Sequence, residues 1–264
     1  MTKILVGCDP EVFVQQNGKF KSAFGLIKGD KKNPQKVPKG AVQVDGMALE
    51  FNIEPAATED EFALNVNEVY NFMKKMVPDY NVVATPVAHF TAAYMKKQPP
   101  EALELGCDPD FNAWTGLVND KPDAHRPMRT ASGHVHIGWT AGQVIEEMRH
   151  QLQAQAVARQ MDFYLGLPSL FWDDDQERRE MYGTPGCHRV KPYGVEYRTL
   201  SNAWLNSEKI MRLVFRNTKK GVEDLFAGKE LAAKYGDISA IILSSDKKEA
   251  DKILKAEGIE VCYG

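Results

Sequence analysis

Four short stretches set polar groups two residues apart among strand-forming residues: Asp9-Pro10-Glu11, Glu50-Phe51-Asn52-Ile53-Glu54, His134-Val135-His136 and Glu196-Tyr197-Arg198. Successive side chains of a strand point to opposite faces, so residues i and i+2 project together. Val135 and Ile137 would then enter a core while His134 and His136 stand side by side on the other face. Each motif alone has an ordinary reading. Asp-Pro-Glu is a common turn, His-x-His more often marks surface or internally satisfied histidines, and Glu-x-Arg is most often a solvated ion pair. Their joint occurrence at one spacing, on separate predicted strands, is far less expected by accident. It predicts one sheet whose polar face is an active site.

The chemistry of that face follows from its charge. Two carboxylates about 4 Å apart repel by about 4 kcal/mol at an effective dielectric of 20. Asp9, Glu11, Glu50 and Glu196 could share a cleft in ionised form only with cations between them. Oxygen ligands with one or two imidazoles suit Mg²⁺ or Mn²⁺ better than zinc. Arg126, Arg129, Arg178, Arg179, Arg189 and Arg198 supply planar forks for phosphate or carboxylate oxygens. Carboxylates for Mg²⁺ and arginines for phosphate together predict nucleotide chemistry. The chain has neither G-x-x-x-x-G-K-[ST] nor G-x-G-x-x-G, so metals and arginines, not a glycine loop, would hold the phosphates. Asp108 and Asp110 either bind substrate or make an Asx turn. Asp173-Asp174-Asp175 reads as a helix end or a solvated run, and Glu54 as a further ligand or a strand-end charge.

These residues need elements to hold them. Residues 3–24 read as a hairpin turning at Asn17-Gly18, and 42–54 as a second one turning at Asp45-Gly46. In the latter, Met47, Leu49, Phe51 and Ile53 alternate with Ala48, Glu50, Asn52 and Glu54. Residues 59–76 suit a helix capped by Thr58, with Glu61 at capping-box distance and Phe62, Val66, Val69, Phe72 and Met73 inward. Asn81 to Phe90 reads as a strand that Pro86 makes an edge or a bulge. The proline-rich stretch 96–130 reads as a long functional loop and a candidate lid. A helix over 141–165 would turn Val144, Ile145, Met148, Leu152, Ala156, Met161 and Leu165 inward, and a second helix covers 206–227. The tail from about 237 to 264 reads strand, helix, strand, a βαβ-like end. Hairpins with acids on one face and apolar residues on the other predict an α+β fold with a mainly antiparallel sheet backed by helices.

The bulk numbers bound the class. The 264 residues are 43% hydrophobic, enough for one large domain spanning 1–264, and no linker is evident. A net charge of -3 disfavours, without excluding, a nucleic-acid partner. Cys8, Cys107, Cys187 and Cys262 are scattered, which fits reduced thiols in the cytoplasm. No apolar run approaches the roughly 20 residues of a membrane span, and Met1 to Val6 is too soon interrupted to be a signal peptide.

At this point the sequence resembles a known group, the carboxylate-amine ligases of the glutamine synthetase-like fold, and within it the phage-type COOH-NH2 ligase family. The matching pieces are Gly7-Cys8-Asp9-Pro10-Glu11-Val12-Phe13, Leu49-Glu50-Phe51-Asn52-Ile53, and Gly106-Cys107-Asp108-Pro109-Asp110-Phe111-Asn112-Ala113-Trp114. Then come Arg129-Thr130-Ala131-Ser132-Gly133-His134-Val135-His136-Ile137-Gly138 and Tyr193-Gly194-Val195-Glu196-Tyr197-Arg198. The resemblance implies a glutamine synthetase-like catalytic domain with a curved sheet and a metal-binding polar face. It implies an ATP-dependent ligase with two or three divalent ions that makes an amide through an acyl phosphate. Asp9 and Glu11 match paired acids of the first strand, Glu50 a second-strand ligand, His134 the histidine ligand and Glu196 a last-strand ligand. His136 matches a neighbour of the nucleotide phosphates, and Arg198 the arginine that steadies the transferred phosphoryl group. Arg178, Arg179 and Arg189 lie where the fold keeps further phosphate- or substrate-binding arginines. Arg129, Arg189 and Glu50 join Arg198 in the expected catalytic set. Related ligases often carry glutamate where Asp9 stands. The chain starts almost at the first catalytic strand, so the expected site is self-contained and no ring assembly is carried over. The substrates would be a carboxylate and an amine, small or peptide-borne, in the cytoplasm (the host's, for a phage protein). Rival readings are a phosphotransferase of the guanidino-kinase type, a non-catalytic nucleotide- or metal-binding module, and a metal-dependent hydrolase.

Overall fold

The computed structural model describes residues 3–103, 109–120 and 126–263. Its strands are β1 (Leu5–Cys8), β2 (Glu11–Gln16), β3 (Lys19–Lys21), β4 (Gln35–Val37), β5 (Gly40–Asp45), β6 (Ala48–Ile53), β7 (Asn81–Val83), β8 (Val87–His89), β9 (Phe111–Asn112), β10 (Met128–Thr130), β11 (Val135–Gly138), β12 (Cys187–Lys191) and β13 (Gly194–Tyr197). All their pairings are antiparallel. With the helices they make a mixed α+β fold.

The expected single sheet is split. Of two large sheets, one runs β1-β11-β13-β12-β9 and the other β3-β2-β6-β5-β4, with β7 also on β2; β8 and β10 pair as a third sheet of two strands. Asp9-Pro10 is the crossing. A proline has no N–H for a ladder and holds the residue before it extended, so the chain leaves one sheet after Cys8 and enters the other at Glu11. The sheets stay in touch there. Val6 and Ala56 exchange backbone bonds of 2.9 and 2.8 Å, and the Glu11 N–H donates to the Ser132 carbonyl at 2.8 Å. The first hairpin is therefore β2–β3, across Asn17 and Gly18, both at positive φ as a two-residue turn of this hand requires. The second turns one residue later than expected, at Gly46-Met47, because Asp45 pairs with Ala48.

Helices cover the apolar faces. On β6, Leu49, Phe51 and Ile53 enter the core while Glu50 and Asn52 stay half-buried on the other side. Helix Glu59–Met76 packs on β5 and β6. Its Thr58 Oγ1 accepts the Glu61 N–H and the Glu61 carboxylate accepts the Ala57 N–H at 2.8 Å, which ties down its first turn. Phe62, Val66, Val69 and Met73 are buried, but Phe72 is 40% exposed. Helix Glu208–Phe226 lies between this helix and helix Glu147–Met161, and the latter packs on β12 and β13.

Three other expectations change. The helix expected over 141–165 begins at Glu147, and its buried side is His150, Ala154, Val157, Ala158 and Met161; Val144, Ile145, Met148 and Leu152 are exposed. Asn81 to Phe90 breaks at Thr85-Pro86 into β7 and β8, which join different sheets. The tail is not βαβ-like: Ser239–Leu243 and Lys247–Glu257 are helices, and no strand is assigned among its described residues. A short apolar run such as Ala240-Ile241-Ile242-Leu243 does not separate strand from helix by periodicity. No helix among the described residues is long and apolar enough to cross a membrane.

Candidate active site

The candidate residues gather at the crossing point. In β1, Leu5 and Gly7 face Gly138 and His136 across the ladder, while Val6 and Cys8 are buried against Ile137 and Val135. Asp9 continues the polar side. Its Oδ1 lies 3.0 Å from His136 Nε2 and 3.2 Å from His134 Nδ1. On the far side of β11, His136 faces Glu196 of β13, which in turn faces Arg189 of β12. Glu196 Oε1 is 3.5 Å from His134 Nδ1, and its Oε2 is 2.8 Å from Lys191 Nζ. Asp9, His136 and Glu196 bring ligand atoms within 4.8 Å of one another. Asp9, the two histidines, Glu196 and Arg198 thus meet, while Glu11, Glu50 and Glu54 do not join them on this sheet.

Burial and charge set their protonation. Burial alone would raise Asp9, but His136 and His134 hold its carboxyl well below the usual range. Burial and Asp9 also press Glu196 upward, yet Arg198, His134 and His136 hold it down to about 2. His134 is pushed down by burial and by Arg198, whereas His136 is raised because Asp9 outweighs its burial. His134 is 3% exposed, and its Nε2 has no hydrogen-bond partner in the fold. A buried imidazole nitrogen without a partner is costly. His136 Nε2 also lacks a hydrogen-bond partner, and the ligand atoms of Asp9, His136 and Glu196 lie within 4.8 Å of one another; two carboxylates with an imidazole nitrogen fit a divalent cation.

A second acidic group lies on the other sheet. Glu11 and Glu50 face each other directly across β2 and β6, a destabilising arrangement for two ionised acids. Burial, then Asp45, pushes Glu11 up to about 8; burial, then Asp9, Asp45 and Glu11, raises Glu50 well above its ordinary value. The Ser132 N–H donates to Glu11 and Gln43 Nε2 donates to Glu50, each at 2.8 Å. Lys31 Nζ is 2.8 Å from Asp45. Glu54 is a solvated strand end, 3.9 Å from Lys39.

The arginines divide. Arg198, 5% exposed, donates to Glu196, to Asp110 at 3.1 Å and to the Tyr182 hydroxyl. Arg189 Nη1 is 3.4 Å from Glu196. Arg178 and Arg179, expected beside phosphate, are engaged within the fold. Arg178 donates to the carbonyls of Thr199 and Leu200 at 2.7 and 2.8 Å and to Ser132 Oγ. Arg179 donates to Asp173 and Ser245. Arg129, expected in the catalytic set, donates to the carbonyls of Leu103, Arg126 and Met128. Asp175 caps helix Gln176–Met181, while Asp173 is buried and accepts from Ser201 Oγ at 2.7 Å.

Of the loop 96–130, residues 104–108 and 121–125 lie outside the described residues, Asp108 and Cys107 among them. Segment 109–119 is hydrogen-bonded to the body of the fold. The Ala113 N–H donates to Gly186, Gln155 Nε2 to Ala113, and Trp114 Nε1 to Asp162. Asn112, not Asp110, makes the Asx turn, accepting the N–H groups of Trp114 and Thr115. Asp110 instead accepts from Arg198, Asn119 and Cys187.

Between the sheets lies a cleft of about 470 Å³. Leu5, Ile53 and Pro55 give its lining apolar surface, and Asp9, Glu50 and His136 give it charge. Sequence reasoning missed Gln43, Asp45, Lys191, Tyr193, Tyr182 and Asp162. Lys191 carried a signal: in a strand it falls on the face of Arg189. Asp162 carried none.

No curated protein matches the chain. Over residues 127–227, the span that holds His134, His136, Glu196 and all of the arginines just described except Arg126, the chain matches the family model described as phage phiEco32-like COOH-NH2 ligase, type 2, the family whose motifs its sequence resembles and one that supports a ligase of the carboxylate-amine kind.

Proposed function

We propose that the chain is an ATP- and Mg²⁺-dependent ligase that joins a carboxylate to an amine through an acyl phosphate, on a catalytic domain of the glutamine synthetase-like kind. The observation that carries this reading is the meeting of Asp9, His136 and Glu196 beside Arg198, at the edge of a cleft large enough for a nucleotide. An ionised carboxylate is a poor electrophile, so an amine cannot displace its oxygen directly. Phosphorylation makes that oxygen a leaving group. One carboxylate oxygen attacks the terminal phosphorus of ATP and ADP departs; the amine nitrogen then attacks the acyl carbon and phosphate departs.

Asp9, Glu196 and the imidazoles of His134 and His136 would hold Mg²⁺ or Mn²⁺, with Glu11 and Glu50 facing a further ion. Such ions supply positive charge to phosphate oxygens. Arg198, Arg189 and Lys191 converge on Glu196 and give the transferred phosphoryl group positive charge as its oxygens gain negative charge. Glu196 and Arg198 are almost wholly buried, which keeps water from the reacting end. An acidic side chain of the site takes the proton released by the amine. Arg178, Arg179 and Arg129 act as struts. The reading places the protein in the cytoplasm, the host's if a phage encodes it, with no membrane partner and with small or peptide-borne substrates.

The test is ADP release from ATP and Mg²⁺ with pools of carboxylic acids and amines. Release should need both, and Glu196→Gln or His134→Ala should lower it by about 100-fold or more. Full activity in either variant would sink the assignment of the cation site. A phosphorylated acceptor without an amide would favour a phosphotransferase.

A further inference from the structure

Tyr193 opens the stretch Tyr193 to Arg198 without a role of its own in that motif, yet it lines the cleft and touches His136. It sits in the two-residue turn between β12 and β13, since Lys191 and Gly194 are the last ladder pair. Its carbonyl accepts the Trp139 N–H at 2.9 Å, and Thr140 Oγ1 donates to the Pro192 carbonyl at 2.9 Å, so the turn is fastened to the end of β11. From there the ring reaches back along the polar face. Gly138 pairs with Gly194 between Tyr193 and His136, and neither has a side chain to block the way. The Tyr193 hydroxyl hydrogen-bonds to His136 Nδ1, and its ring forms one wall of the cleft.

The other nitrogen of His136, Nε2, faces Asp9 at 3.0 Å. Nε2 makes no hydrogen bond in the fold; it either turns a hydrogen toward that carboxylate or offers a lone pair to a cation, and the two roles place the ring hydrogen differently. In the neutral ring, a hydrogen on Nε2 makes Nδ1 the acceptor and a lone pair at Nε2 makes Nδ1 the donor; in the charged ring Nδ1 donates. A hydroxyl serves both, because it donates and accepts. Outer hydrogen bonds of this kind fix the orientation of a ligating imidazole, and losing one typically costs about 10- to 100-fold in metal affinity.

We infer that Tyr193 is a positioning residue that aims His136 Nε2 at the cation site through its hydroxyl and walls the nucleotide cleft with its ring, so that cation and nucleotide binding are coupled through one side chain. The inference rests on the proposed reading of the cleft. Coupling of this kind is reciprocal: whatever factor the nucleotide adds to cation affinity, the cation adds to nucleotide affinity.

Two substitutions separate the two roles. Tyr193→Phe keeps the wall and removes the hydroxyl; Tyr193→Ala removes both. Mn²⁺ binding is followed by electron paramagnetic resonance with and without ADP, and ADP binding by calorimetry in EDTA. Tyr193→Phe should bind Mn²⁺ about 10-fold more weakly and metal-free ADP as the wild type does. Tyr193→Ala should weaken both and lower the factor by which ADP tightens Mn²⁺. Unfolding by urea, followed alongside, should be nearly unchanged in Tyr193→Phe, which separates positioning from a structural defect. Wild-type affinity for Mn²⁺ in Tyr193→Phe would overturn the positioning role while leaving the ligase reading in place. A wild-type protein that binds neither Mn²⁺ nor ADP would overturn both.

Discussion

At the scale of the residue, one carboxylate gathers the site's charges. Glu196 faces Lys191, Arg189 and Arg198 on one side and His134 on the other. It was legible because Glu196 and Arg198 are two apart on a strand, and so was the histidine pair. Asp162 shows the opposite case. It is fully buried and accepts from Tyr197 OH at 2.7 Å and Trp114 Nε1 at 2.6 Å. It joins the strand that carries Glu196 and Arg198 to the segment that carries Asp110, a contact between residues 35 and 48 positions apart that no local pattern reveals. Burial pushes its carboxyl up to about 7. An acid raised in the folded state favours folding fully below its unfolded value near 4, and loses that contribution as pH rises through about 7. Asp162→Asn, which cannot ionise, should therefore gain stability relative to the wild type between pH 4 and pH 8, by on the order of 4 kcal/mol before the altered hydrogen bonds are counted. Urea unfolding across that range checks it; a wild-type-to-variant difference independent of pH would show that Asp162 is ionised throughout.

At the scale of the element, the strands were legible where side chains alternate, as in β6, and misread where a backbone constraint decides. Pro10 splits what reads as one strand and so makes two sheets of one. Helix Glu147–Met161 was misread for another reason. Its buried side is made of small residues, Ala154 and Ala158, together with Val157 and His150, while the larger apolar Met148 and Leu152 face outward. A search for large hydrophobic residues picks the wrong side. Segment 109–119 depends on a close approach. Gly186 sits at φ +74°, and a Cβ there would lie 2.7 Å from the Trp114 ring. Gly186→Ala should cost about 1–3 kcal/mol through backbone strain and displacement of Trp114. It should also raise protease cleavage within 109–119. Equal cleavage and equal urea midpoints in variant and wild type would mean that the segment is held elsewhere.

At the scale of the whole molecule, two antiparallel sheets meet along Val6, Asp9 and Glu11, and the cleft between them puts an acidic face from each within reach of one ligand. The class of fold was legible from paired hairpins and amphipathic helices, and the tail was not, because its apolar run is too short to show a period. The reading stands on one claim: a carboxylate is phosphorylated and an amine then displaces the phosphate. The most direct measurement uses carboxylic acids labelled with ¹⁸O in the carboxylate, with amines, ATP and Mg²⁺, and follows the label by mass spectrometry. The account predicts one ¹⁸O in the released phosphate for each amide formed, and no label transfer in Glu196→Gln. Unlabelled phosphate accompanying ADP, or a phosphorylated acceptor with no amide, would contradict it.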